Sequence, residues 1–131
     1  MGTEIDLLRN YPRTQRDLAE RESMKTPENR ALARQFGKDY FDGSRETGYG
    51  GFSYNPRFWQ PVIPDMVQHF GITSESKILD VGCGKGFMLF DFQQLIPGVT
   101  VAGIDVSLYA IDNSVPEVRP HLSLGNATKH P

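Results

Sequence analysis

The chain has 131 residues, of which 38% are hydrophobic and 23% charged, with a formal charge of -2; that is enough for one domain hiding roughly two thirds of its unfolded surface. The charge balance lacks the basic surplus of a phosphate-backbone binder, so nucleic acid is not the expected partner. Cys83 is the single cysteine, which excludes an internal disulfide and a thiolate metal cluster.

Charge falls mostly early: 18 of the 30 Lys, Arg, Asp and Glu residues precede Thr47, nine of each sign. This shift divides the chain into residues 1–55, a helical cap with a lid loop, and residues 56–131, a more apolar domain. The start, MGTEIDLLRN, has neither the basic nor the apolar part of a signal peptide, and no stretch approaches the ~20 apolar residues of a membrane span. A cytoplasmic location without membrane attachment is expected. Asp6 also stands where a myristoylation signal needs Ser or Thr, and the Asn126-Ala127-Thr128 sequon reads as coincidence.

Thr14 to Met24 and Pro27 to Phe41 are predicted helices, the second with Thr26 as N-cap, Pro27 in the tolerated first position and Leu32, Phe36 and Tyr40 on one stripe. Asp42 to Pro56 is a loop with four glycines, Gly43, Gly48, Gly50 and Gly51. Its aromatics Tyr49, Phe52 and Tyr54 either pack on the core or form a lid over a ligand. Phe58, Trp59, Val62, Ile63, Met66, Val67 and Phe70 then recur at helical spacing up to Gly71, a suitable residue to end a helix. Starting that helix near Pro61 places Pro61 and Pro64 where amide N–H groups lack helical partners.

From Lys77 onward, short apolar runs alternate with helical pattern: Ile78 to Val81, Phe87 to Ile96, Val99 to Ile104, Leu108 to Ser114, His121 to Leu124. This is βαβαβ, an α/β unit with a parallel sheet whose ligand crevice opens at the carboxyl ends of the strands.

The first strand runs into Gly82-Cys83-Gly84-Lys85-Gly86, which opens directly into a helix. Glycines there permit positive φ and let the backbone lie against a ligand. The second strand ends in Asp105, nineteen positions after Gly86, where an acid can accept hydrogen bonds from both ribose hydroxyls of a nucleotide, each contributing roughly 1.5 to 3 kcal/mol. Ser107 can cap the following helix, which frees Asp105 for that role. Asp80, two residues before the first glycine, favours a ligand whose polar tail is cationic, by roughly 1 to 4 kcal/mol at a few ångströms. Phe87 stands where a dinucleotide-binding turn has its third glycine. Both features point to S-adenosyl-L-methionine, with its ammonium and sulfonium, in preference to a pyrophosphate.

Asp80 to Gly86 and Gly103-Ile104-Asp105-Val106-Ser107 resemble the first and second motifs of class I S-adenosylmethionine-dependent methyltransferases, over roughly residues 56 to 131. The resemblance implies a Rossmann-like sheet preceded by N-terminal helices, and methyl transfer to a small-molecule acceptor. It assigns the cofactor's methionine tail to backbone groups of Gly82, Cys83 and Gly84 within the turn that Gly86 closes, adenine packing to Val106, and base contact to Asn126-Ala127. Cys83 is then a spacer and Lys85 points to solvent. The family continues into strands beyond the third, in the order 3-2-1-4-5-7-6, so this chain reads as the truncated, cofactor-binding part of a longer enzyme, or one completed by a partner. On that order strand 78–81 is an open edge, through which the chain could self-associate or dock a partner, although its apolar run suits burial on both faces.

A base, if methyl transfer needs one, could be His69, His121 or His130, but none has a paired acid in sequence and no catalytic residue is assigned. Two other readings stand beside the first: a fragment of an NAD-dependent oxidoreductase, and a non-catalytic binding or interaction module.

Overall fold

The structure, a computed structural model, describes residues 2–12, 26–34, 36–42 and 53–128. The expected helix at 14–24, the loop aromatics Tyr49 and Phe52, and His130 lie outside the described residues.

The helix expected from Pro27 to Phe41 is two helices, α1 (Pro27–Arg34) and α2 (Lys38–Phe41). Thr26 does cap the first, its hydroxyl accepting from the Asn29 N–H at 3.1 Å. The break has a local cause, because Phe36 adopts φ 51°, a left-handed turn that a right-handed helix cannot pass through. The Ser107 hydroxyl holds that turn from outside by donating to the Phe36 carbonyl.

The next amphipathic stretch is also divided, into α3 (Pro56–Trp59) and α4 (Ile63–Phe70). Asn55 caps α3 by accepting from the Arg57 N–H at 3.0 Å, and Gly71 ends α4 at φ 64° with its N–H on the Val67 carbonyl. Pro64 sits in the first turn of α4, where its missing N–H costs nothing. Val62 and Ile63 are fully buried, whereas Phe70, expected on the same stripe, is 62% exposed at the far end of the helix.

Residues 77 to 124 follow the βαβαβ expectation closely. The order is β1 (Lys77–Val81), α5 (Phe87–Leu95), β2 (Thr100–Asp105), α6 (Leu108–Asp112), a 3-10 turn (Arg119–His121) and β3 (Leu122–Leu124). All pairings are parallel, with Leu79 opposite Ala102 and Gly103 opposite Leu122, and β2 lies in the centre. This is a Rossmann-like half-sheet in the order 3-2-1.

One face of the sheet carries the core. Val101 of β2 and Leu122 of β3 cluster with Leu89 and Phe92 of α5 and Ile111 of α6, and Ile78 packs against them. The alternate residues point the other way, and there the double-sided burial expected of β1 is not found: Leu79 is 62% and Val81 52% exposed. The physical reason is that α5 and α6, the helices that follow β1 and β2, contribute their buried residues to the same core cluster. Among the described residues no helix is long and apolar enough to cross a membrane.

Candidate functional site

The sheet register gathers the candidate residues. Val81 pairs with Ile104 and Asp105 with Leu124, so the glycine turn, the Asp105-Val106-Ser107 corner and the segment Gly125-Asn126-Ala127 leave the same end of the sheet side by side. The Gly125 N–H donates to the Asp105 carbonyl at 2.9 Å, which fixes the third segment against the second.

The glycine turn is tied to β2 through its own amides. Gly82 N–H and Cys83 N–H both donate to the Ile104 carbonyl, at 2.8 and 3.0 Å. The Gly84 N–H donates to one Asp105 oxygen at 2.8 Å, and the Ser107 N–H to the other at 2.8 Å. Asp105 is buried, and each oxygen of an ionised carboxylate retains a lone pair after one bond. Ser107 caps α6, accepting from the Ala110 N–H at 3.0 Å, as its position implied.

Gly82, Gly84 and Gly86 all have positive φ, at 81°, 58° and 80°. At Gly86 space is decisive as well, since a Cβ would lie 2.6 Å from a methyl of Val118, which is fully buried and cannot retreat. Gly103 has a different reason for lacking a side chain: a Cβ there would meet Cys83 Sγ at 2.8 Å. Cys83 is therefore a packing residue. Its thiol is pushed up to about 12, first by burial and then by Asp105 and Asp80, which disfavours the thiolate that a nucleophile would need.

Asp80 is partly buried at the mouth of the turn. Burial first, and the charge of Asp105 second, raise its carboxyl to about 6. A carboxyl raised by burial and by a neighbouring acid forms a site that gains from an incoming cation. Val106 is 51% exposed beside Asp105, and Asn126 and Ala127 are exposed after β3, the Asn126 carboxamide accepting from the Thr128 N–H at 2.8 Å.

Lys85 departs from expectation. It does not point to solvent; it is 7% exposed, with Nζ 2.8 and 2.7 Å from the two oxygens of Asp42 at the end of α2. The Tyr109 hydroxyl donates to the same carboxylate at 2.5 Å. Periodicity could not have found this contact, because its partners lie 43 residues apart.

A second polar cluster lies behind the turn. Asp91, on α5, is fully buried and accepts from the Tyr54 hydroxyl and, at 3.2 Å, from the Gln60 amide, while its other oxygen has no partner among the described residues. Burial pushes its carboxyl up, and those two donors oppose the shift. Tyr54 packs edge-on against Phe87 and Phe90, so this loop aromatic is anchored on α5. The signal was visible: Asp91 is the one charge in the apolar run FMLFDF. Among the described residues no cluster of His, Cys, Asp and Glu could hold a metal ion, and His69 and His121 are exposed.

Residues 72–119 match the family model described as a methyltransferase domain. That stretch is similar to methyltransferase domains. It covers just over a third of the chain and contains the glycine turn and Asp105. Asp42, Asn126 and Ala127 lie outside it. The chain is also similar to the crystal structure of the glycopeptide N-methyltransferase MtfA complexed with sinefungin, at 16% identity over 82% of this chain and 43% of that one, with a TM-score of 0.45. It is similar as well to CalO1, a methyltransferase in calicheamicin biosynthesis in its SAH-bound form, at 18% identity over 83% and 34% of the two chains, with a TM-score of 0.35. The chain thus spans less than half the length of either methyltransferase. No curated protein matches it.

Proposed function

We propose that the cleft at the carboxyl ends of β1 and β2 binds S-adenosyl-L-methionine, and that residues 56–131 are the cofactor-binding part of a cytoplasmic methyltransferase acting on a small-molecule acceptor. The observation that carries this reading is the charge and hydrogen-bond polarity of the turn. The N–H groups of Gly82, Cys83 and Gly84 are already committed to Ile104 and Asp105, and two acids, Asp80 and Asp105, stand beside them. A pyrophosphate would find few free donors there and two like charges. A cationic methionine tail would find backbone carbonyls and carboxylates.

In this reading Asp80 attracts the ammonium and sulfonium, Asp105 uses its remaining lone pairs to accept from the ribose hydroxyls, and Val106 offers its exposed face to adenine. Asn126 and Ala127 border the base, and Gly86 lets α5 begin against the turn. The cofactor supplies a methyl group on a cationic sulfur. The protein's part is to hold that methyl in line with an incoming nucleophile and to keep water from the charge that disappears in the transfer, work that alignment alone can carry. The anchored Tyr54 and the cap formed by residues 1–55 would supply the exclusion.

Calorimetric titration with S-adenosylhomocysteine beside fluorescence titration with NADH tests the reading. Saturable binding of the first and none of the second is expected; NADH binding without S-adenosylhomocysteine binding would overturn it in favour of an oxidoreductase.

A further inference from the structure

Asp91 is the only ionisable residue on α5 and is fully buried, yet it has no part in the cofactor reading. The groups that hold it come from 37 and 31 residues earlier in the chain: the Tyr54 hydroxyl and the Gln60 amide donate to the same oxygen. The Gln60 nitrogen also lies 3.5 Å from the Tyr54 oxygen, so the three side chains close on one another. The second Asp91 oxygen has no partner among the described residues. Burying the anion leaves one of its two charged oxygens without a donor, whereas the neutral acid forgoes only the bond its own hydroxyl could make. Burial accordingly pushes this carboxyl up against the opposing effect of its two donors. Charged groups on the neighbouring elements are engaged elsewhere among the described residues. The Arg57 guanidinium of α3 lies 4.6 Å from the centre of the Phe58 ring, Asp105 of β2 takes the Gly84 and Ser107 amides, and Asp80 of β1 answers to the charge of Asp105.

These contacts also decide where residues 53–60 lie. Tyr54 stands edge-on to Phe87 and Phe90, at 5.8 and 5.1 Å, and Phe87 is the first residue of α5 after Gly86. The four residues of α3 include none that is buried, so the rings and the polar cluster on Asp91 carry much of the docking. We infer that Asp91 is a proton-controlled latch: its protonated carboxyl holds Tyr54 and Gln60 on α5, and loss of that proton releases residues 53–60 from the helix that the glycine turn opens. Release exposes Asp91 to water, where it titrates as an ordinary carboxyl, so docking takes up a proton. A carboxyl raised in the docked form contributes fully to docking below its ordinary value, and that contribution is lost as pH rises through the docked value. The latch requires no ligand and so stands or falls apart from the cofactor reading; under that reading it controls the water exclusion assigned to Tyr54.

Trp59, the single tryptophan, lies in the latched segment and packs against the core, so its fluorescence reads docking in the whole chain. As pH is raised from about 4 to about 8, its emission should shift to the red and its quenching by acrylamide should increase. The midpoint should lie above the ordinary 3.8 of a carboxyl. Asp91→Asn keeps an oxygen for both donors and has no proton to lose, so Trp59 should hold its low-pH emission throughout. Constant emission in the parent, or an equal transition in Asp91→Asn, would overturn the latch. If that variant does not fold, the Asp91 carboxyl carbon followed by NMR in the unchanged chain decides the matter. A midpoint that coincides with the Trp59 transition supports the latch, and one that differs from it, or lies at or below 3.8, overturns it. Binding of S-adenosylhomocysteine by the parent is read separately, so a failed latch leaves the cofactor reading in place, and a failed cofactor reading leaves the latch.

Discussion

Residues 77–124 and residues 26–71 contain similar material, short apolar runs punctuated by glycine and proline, but they are held in different ways. The later region is organised by a parallel ladder, so each strand residue's face follows from its place in a two-residue repeat, and Ile78, Val101 and Leu122 meet where the pattern puts them. The earlier region sends Ile63 into that same core and is otherwise tied down by single polar contacts over long separations: Phe36 to Ser107, Asp42 to Lys85, Tyr54 to Asp91. A ladder distributes its stability over many equivalent bonds. A set of isolated anchors can fail one at a time, and two of them, at Ser107 and Lys85, end on the loops that form the cleft.

If this contrast is right, damage to the ladder should unfold the protein, and damage to the anchors should loosen the cap. Gly86→Val should have the largest effect, because it combines a left-handed backbone with the clash against Val118; a loss on the order of 3 kcal/mol or more is expected in urea unfolding. Leu89→Ala empties a fully buried position and should cost about 2 to 5 kcal/mol by the same measurement. Tyr54→Phe removes one donor from Asp91 and leaves a buried carboxyl less satisfied, for about 1 to 2 kcal/mol, with amide exchange increasing around Tyr54 ahead of the strands. Ser107→Ala removes the α6 cap and the bond to Phe36 together, for about 1 kcal/mol. Amide exchange that rises first in β1 and β2 on Tyr54→Phe would break the contrast.

The acid pair supplies a pH test with a definite sign. Asp80 is raised from 3.8 to about 6 in the folded chain, so its contribution to stability is full below the unfolded value and is lost as pH rises through about 6. A cationic ligand prefers the ionised acid. Affinity for S-adenosylmethionine should accordingly increase as pH rises through the same window, and Asp80→Asn should flatten that rise and weaken binding; a steep rise that survives the substitution would remove Asp80 from the site.

What could be read from residue order follows the same division. The glycine turn, the acid at the end of β2 and the Ser107 cap are local signals, each set by neighbours within a few positions, and the parallel order follows from the length of the connections. The burial of Lys85 against Asp42 and the two donors gathered on Asp91 depend on contacts made across tens of residues. The exposure of Leu79 and Val81 was missed in part for a related reason. An apolar run declares what a strand would bury, but whether anything covers it is a property of the other elements.

The central claim is that Asp105 serves a ribose in this cleft, and calorimetry of Asp105→Asn with S-adenosylhomocysteine tests it most directly. The substitution keeps one oxygen for the Gly84 amide, turns an amide N–H against the Ser107 N–H and removes the charge that two hydroxyls would use, so affinity should fall on the order of ten- to a hundredfold and the melting transition should drop with the chain still folded. Unchanged affinity in a variant that remains folded would contradict the account.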